Sequence, residues 1–201
     1  TSNLSEVPLL LKLMSVCPLA DMELEGVLTS LRSALLLSIS VVTYSPEVLH
    51  FQSALALQCF TNEYIYNQSD QESKALRALE AVVQQMLLNG EQPSPQAILC
   101  LAAYSALHCY DWWDFLTVTA GIEEVFTRQI LEPKQESRLK IDMPVLQEIS
   151  NKVSAKVRDM YEKSPYPRWV NLGLSLESAP ISRVIREMKL KLFDKVINDV
   201  E

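Results

Sequence analysis

The stretch SPEVLHFQSALALQCFTNEYIY, residues 45–66, decides the fold. Ser45 and Pro46 are typical of a helix N-cap followed by proline at the first helical position. Apolar side chains then recur at helical spacing on two faces, one formed by Val48, Phe51, Leu55 and Cys59 and the other by Leu57, Phe60 and Tyr64. A helix that is apolar on two faces is buried between neighbours. Residues 45–66 therefore predict the central helix of a helical protein.

Helix signals continue on both sides of this stretch. Ser69 and Glu72 form a capping-box pattern, Gly90 supplies a stop, and Ser94-Pro95 repeats the cap-and-proline start. Further helices are expected over residues 8–16, 24–40, 95–110, 115–129, 146–164 and 181–200. No strand pattern competes with them. The sequence predicts an all-α fold of about seven to nine helices, stacked as helical hairpins.

The C-terminal third differs from this helical body. Residues 132–144 carry two prolines and mixed charges, and we expect an extended connection there. This divides the chain into a helical body, residues 1–131, and a connecting segment with a C-terminal helical arm, residues 132–201. The arm is expected to pack on the body as one domain. Proline also requires the helix that begins near residue 146 to end by Ser164.

An extended strap is predicted near the C-terminus. Pro165 and Pro167 fix an extended backbone from which Tyr166, Arg168 and Trp169 project. The favoured interpretation is structural, with the two aromatic residues packed into the body and Arg168 paired with an acid. The alternative is functional, because aromatic rings beside a guanidinium suit stacking on a planar ligand or binding of a carboxylate.

Composition and charge exclude several classes of function. A net charge of −7 predicts that the surface repels nucleic acid and anionic membranes. The four glycines are isolated from one another, so no phosphate-binding glycine loop can be assembled. No apolar stretch is long enough to span a bilayer, and no signal peptide is recognisable. Four cysteines without a CxxC pair indicate small buried thiols in a cytoplasmic protein.

Candidate polar and aromatic residues each allow two interpretations. His50 and His108 lack the further ligands that a metal site needs, so we expect packed or hydrogen-bonded core histidines. Asn62 and Glu63 lie in an apolar run, where they form a polar network or, less readily, contact a ligand. The adjacent residues Trp112-Trp113 fill gaps between helices or anchor a partner. No catalytic residues and no metal ligands are predicted.

A family resemblance adds a function to this description. The segment YEKSPYPRW, residues 161–169, resembles a Y-E-x-x-P-Y-P-R-W signature of bacterial proteins in which tetratricopeptide repeats precede a class I S-adenosylmethionine-dependent methyltransferase domain. Residues 58–64 (QCFTNEY), 102–108 (AAYSALH) and 132–139 (EPKQESRL) are similar to weaker segments of the same family. The resemblance covers about residues 50–190, but neither the repeats nor a glycine-rich cofactor loop is present.

The resemblance implies an accessory helical domain that supports or caps a catalytic domain outside this chain. Tyr166, Arg168 and Trp169 are then expected to cap the cofactor or acceptor pocket, S-adenosylmethionine is expected as cofactor of the longer protein, and the chain itself is not expected to be an enzyme. The partner implied is that catalytic domain. Two alternatives stay open: a non-catalytic protein-interaction scaffold, and a ligand-binding helical bundle that acts alone. The methyl acceptor and the oligomeric state are left undetermined.

Overall fold

A computed structural model describes residues 7–40, 45–141, 143, 149–163, 168, 170 and 180–187. The chain divides into two compact units, Thr1–Trp169 and Val170–Glu201. The described residues form α-helices and short helical turns without a strand, which confirms the predicted all-α fold. Eight of the α-helices in this described part are seven residues long or longer.

The α-helices of the first unit are α1 (Pro8–Val16), α2 (Met22–Leu37), α3 (Pro46–Thr61), α4 (Asp70–Leu88), α5 (Pro95–Ala102), α6 (Glu123–Phe126), α7 (Glu132–Ile141) and α8 (Lys152–Lys163). Two 3-10 turns, Leu107–Cys109 and Trp113–Phe115, lie between α5 and α6, and a π-helix, Thr127–Leu131, joins α6 to α7. The second unit contains α9 (Ile181–Glu187). None of the helices in the described ranges is both long enough and apolar enough to cross a membrane.

Helix α3 is the centre of the first unit, as its sequence predicts. All eleven residues from 51 to 61 are buried, and α3 packs against α1, α5 and α6. Helices α2 and α4 pack against each other, and both also contact α5. The buried amide of Gln58 joins α3 to the end of α1, since it donates to the carbonyls of Met14 and Cys17 and accepts from the Leu19 N–H, each at 3.0 Å.

Local capping signals were predicted correctly. The Ser69 hydroxyl accepts a hydrogen bond from the Glu72 N–H, and the Glu72 carboxylate accepts one from the Ser69 N–H, which completes the capping box of α4. Gly90 follows the end of α4 with a φ of +78°, a conformation that glycine adopts without strain. Ser94 accepts from the Ala97 N–H at the start of α5. Ser45 precedes α3 as expected, but its side chain makes no capping hydrogen bond.

Several predictions about elements are wrong. The helix predicted over residues 45–66 ends at Thr61, and the helix expected to reach Tyr110 ends at Ala102. The helix predicted over residues 115–129 begins only at Glu123, because residues 103–122 form turns, two of them 3-10 turns. Residues 132–141, expected to be an extended connection, are helix α7. Proline at position 133 is accommodated because the preceding turn is a π-helix, in which the usual i to i+4 hydrogen bonds are already replaced.

Some predictions lie outside the described residues. These are residues 146–148 of the helix predicted to begin near residue 146, residues 188–200 of the last predicted helix, and every strap residue except Arg168. Residues 149–151 are described and are not helical, so that helix begins later than predicted, at Lys152. A division of the chain at residue 131 stays a prediction.

Candidate functional site

The chain makes a strained turn where α3 ends. The Glu63 N–H bonds the Phe60 carbonyl at 3.2 Å, and the Tyr64 N–H bonds the Cys59 carbonyl at 2.8 Å. This pair of bonds is a Schellman motif, whose left-handed position is usually glycine. Here Glu63 and Tyr64 both have a φ of 57°. Because a left-handed conformation costs a residue with a Cβ about 1–2 kcal/mol, a function for the Glu63 side chain is indicated.

The Glu63 carboxylate binds the one strap residue that the structure describes. Arg168 donates to Glu63 Oε1 from Nε at 2.9 Å and from Nη2 at 2.7 Å. The two side chains are 15% and 16% exposed, so the ion pair is largely shielded from water. The guanidinium carbon also lies 4.1 Å from the centroid of the Phe60 ring, which is itself buried. Phe60, Glu63 and Arg168 are called the Glu63–Arg168 junction below.

Neighbouring side chains hold the turn from the inside. The Tyr64 hydroxyl donates to the Ala102 carbonyl at 3.3 Å, and burial raises the pKa of Tyr64 well above its usual range, so the phenol stays a neutral donor. The Asn62 side chain is 3% exposed, and its Oδ1 has no hydrogen-bond partner among the described residues. Buried acceptors are normally paired, so this atom is a further unusual feature of the same turn.

A buried cation fastens the chain just after the turn. Arg32 of α2 is 2% exposed, and its Nη2 donates to the carbonyls of Tyr66 and Asn67 at 3.4 and 2.7 Å. Its Nη2 lies 3.9 Å from Glu72 Oε1, which accepts a 2.6 Å hydrogen bond from the Tyr104 hydroxyl. Burial and this bond to Glu72 raise the pKa of Tyr104. Arg168 thus holds the strained turn through Glu63, and Arg32 holds the chain that follows the turn.

The junction positions a segment and contains no catalytic machinery. Glu63 is occupied by Arg168, and Phe60 offers an apolar surface, so no group at the junction is arranged to activate a nucleophile or transfer a proton. What the arrangement does is fix residue 168 against the body. Trp169 is its chain neighbour and Tyr166 lies two residues earlier, but both are outside the described residues.

The pairing of Arg168 agrees with the structural interpretation of the strap. The sequence predicted that Arg168 would pair with an acid, and the acid is Glu63, for which a polar network was expected. The sequence did not predict that these two residues contact each other, because 105 positions separate them. An acid in an apolar run and an arginine in an aromatic run were the available signals, but neither specifies its partner.

The histidine and cysteine predictions are only partly correct. His50 and His108 are both exposed rather than buried in the core, although His108 is hydrogen-bonded to Gln129 as expected of a bonded histidine. Cys59 and Cys100 are buried, which raises the pKa of each thiol to about 12. Cys109 is exposed. Within the described ranges, no three histidine, cysteine or carboxylate side chains lie close enough to hold a metal ion.

The two adjacent tryptophans have different environments. Trp112 is buried and stacks on Tyr110 with ring centroids 4.6 Å apart, so it fills a gap between elements as predicted. Trp113 is only half-buried, and the Lys134 ammonium lies 3.3 Å from its ring centroid. The second tryptophan therefore remains accessible for contacts with a ligand or partner.

Comparison of the chain with models of known protein families, with curated proteins and with solved structures finds no match. The resemblance of residues 58–64 and 161–169 to the methyltransferase-associated proteins therefore stays an expectation.

Proposed function

We propose that this chain is an accessory helical domain of an S-adenosylmethionine-dependent methyltransferase and that it supports or caps a catalytic domain outside the chain. One observation carries the proposal. The most specific of the resembling segments, residues 161–169, meets one of the weaker segments, residues 58–64, at the Glu63–Arg168 junction. Segments that are far apart in sequence and share a family signature are expected to act together when they form one site.

The strained backbone at Glu63 supports a role for this contact. Glycine at position 63 would remove the cost of the left-handed conformation, but it would also remove the carboxylate that holds Arg168. An ion pair between largely shielded side chains fixes its segment more firmly than one on the open surface. In this proposal Arg168 is a positioning residue, and Tyr166 and Trp169 are the capping side chains that pack on the cofactor or acceptor.

The coding sequence beyond Glu201 is the first test. A strand followed by a G-x-G turn, the start of a nucleotide-binding domain, is expected there. A stop codon directly after Glu201 would contradict the proposal and favour a scaffold.

The second test measures cofactor binding by the protein that contains both domains. Arg168→Ala and Trp169→Ala are expected to weaken S-adenosylmethionine binding or lower turnover about tenfold, which is about 1.4 kcal/mol, with the helical circular dichroism unchanged. Arg158→Ala is the matched control, because Arg158 is an exposed arginine of α8 that pairs with Asp159. Unchanged affinity and turnover in both variants contradict the proposal. The 201-residue chain alone is expected to bind the cofactor very weakly or not at all.

A specific observation favours the scaffold as a second candidate. The apolar face of α8 is uncovered, with Val153 70%, Val157 45%, Met160 56% and Tyr161 56% exposed. Exposed apolar faces of this kind are typical of protein-interaction surfaces. If the chain is a scaffold, Val153→Asp weakens partner binding and no variant at the Glu63–Arg168 junction alters a methyl transfer.

A further inference from the structure

A π-helix and a proline interrupt the regular α-helical hydrogen bonding between α6 and α7. In the π-helix Thr127–Leu131, the Glu132 N–H bonds the Thr127 carbonyl five residues earlier. The next residue, Pro133, has no N–H to offer the Gln129 carbonyl four residues before it. π-Helical turns are rare and are frequent at functional sites. The Gln129 carbonyl therefore has no α-helical donor at position 133 and can accept a hydrogen bond from a side chain.

His108 makes that contact. Its Nδ1 lies 2.8 Å from the Gln129 carbonyl oxygen, and since a carbonyl only accepts, Nδ1 carries the hydrogen. The imidazole is thereby fixed in orientation, with Nε2 as its free nitrogen. The Gln129 side chain supports the same region, because its Oε1 accepts from the Leu107 N–H at 3.1 Å.

The fixed histidine lines a cleft of about 340 Å³ at the start of α7, and its lining residues are His108, Trp113, Pro133, Lys134, Ser137 and Arg138. Lys134 and Arg138 lie one helical turn apart and so project from the same side of α7. The Lys134 ammonium lies over the Trp113 ring, 3.3 Å from its centroid. Arg138 is exposed and has no ion-pair partner in the part of the chain that the structure describes.

The acids near this cleft leave most of its positive charge available. Asp114 lies 3.8 Å from Lys134 and is 66% exposed, so it neutralises Lys134 weakly. Glu132 is paired with Arg128 at 3.0 Å. Glu136 lies two residues from both Lys134 and Arg138, which on a helix directs it to the opposite side. In a chain of net charge −7, this convergence of two cations and an imidazole is a local exception.

We propose that this cleft binds a phosphate-bearing small molecule. The phosphate lies between Lys134, Arg138 and His108, because a guanidinium fork and an ammonium together match its charge and its several acceptor oxygens. The organic part of the ligand rests on Pro133 and on the part of the Trp113 ring that the Lys134 ammonium does not cover. The proposal does not depend on the methyltransferase assignment, since none of these residues belongs to the Glu63–Arg168 junction.

The test titrates the intact chain with phenyl phosphate and with inorganic phosphate, at constant ionic strength, by calorimetry and by NMR of the indole N–H groups. Saturable binding of both is expected, with phenyl phosphate the tighter ligand. Lys134→Ala and Arg138→Ala are each expected to weaken both ligands about tenfold. Lys140→Ala is the matched control, because it removes the same charge from the same helix, where Lys140 is paired with Glu162 outside the cleft.

A variant of Trp113 distinguishes binding of the organic part of the ligand from binding of the phosphate. Trp113→Ala is expected to weaken phenyl phosphate more than inorganic phosphate, because only the former has a ring to place on the indole. Helical circular dichroism of each variant shows that it is folded. Equal losses for Lys140→Ala and Arg138→Ala would show general attraction to positive charge and overturn the proposal. So would the absence of saturable binding to the unmodified chain, or equal losses of the two ligands in Trp113→Ala.

Discussion

Helices α3 and α8 both follow clear apolar patterns, yet their apolar side chains end in opposite environments. In α3 every residue from 51 to 61 is buried, whereas Val153 and Met160 of α8 are 70% and 56% exposed. The difference is made by neighbours, because α3 packs against α1, α5 and α6. A helical pattern thus predicts which face is apolar but does not predict what covers it. We expect stability to reside around α3 and binding to reside on the less covered C-terminal helices.

The largest expected effect tests that difference directly. Phe51 of α3 is fully buried, so Phe51→Ala leaves a cavity and is expected to lower the free energy of unfolding by about 3–5 kcal/mol. Val153→Ala in α8 removes an exposed side chain and is expected to change it by no more than about 0.5 kcal/mol. Urea denaturation followed by circular dichroism measures both. Similar losses in the two variants would show that the α8 face is covered after all.

Two ion pairs of the protein differ in exposure in the same way. We expect burial of the side chains to affect their contribution to stability more than the N···O distance does. Arg32 and Glu72 lie 3.9 Å apart with side chains 2% and 6% exposed, whereas Lys140 and Glu162 lie 2.6 Å apart but are 60% and 42% exposed. Glu72→Ala leaves the Arg32 charge buried without its carboxylate and is expected to cost about 3 kcal/mol or more. Glu162→Ala is expected to cost about 1 kcal/mol or less. Equal costs in urea denaturation would contradict this ranking.

Acid titration provides a second measurement on the buried pair. Burial alone would raise the pKa of Glu72, but hydrogen bonds from Tyr104 and Ser69, together with the Arg32 charge, outweigh it and lower the pKa. A lowered pKa contributes stability that is complete above the unfolded-state value of about 4.3 and is lost as the pH falls through the folded-state value. Below about pH 4.3 the unmodified chain should therefore lose stability more steeply than Glu72→Gln. Parallel curves would show that Glu72 does not contribute in this way.

Local signals in the sequence predicted the fold well, and long-range contacts were the part they could not supply. Ser69 and Glu72 are three residues apart, so the sequence predicts their capping box, and the structure contains it. Glu63 and Arg168 are both recognisable as unusual, but nothing local joins them. Pro133 indicated a break, because proline disrupts the interior of an α-helix. The structure instead places a π-helix before Pro133 and continues as helix α7. The cleft lined by His108, Trp113 and Lys134 was not predicted from the sequence for the same reason, because these residues come from three separate elements.

The smallest changes in stability are expected for two glycine substitutions within the helical body. Gly26 lies on the exposed side of α2, and an added Cβ would meet no atom within 4 Å. Gly26→Ala is therefore expected to stabilise the chain by about 0.5–1 kcal/mol, because alanine loses less backbone entropy in a helix. Gly90 also has open space around it, but its φ of +78° strains any residue with a Cβ, so Gly90→Ala is expected to destabilise by about 1 kcal/mol. Thermal unfolding of the two variants measures this difference, because both glycines have open space around them and only Gly90 has a positive φ. Shifts of the melting temperature in the same direction would contradict the assignment of left-handed backbone at Gly90.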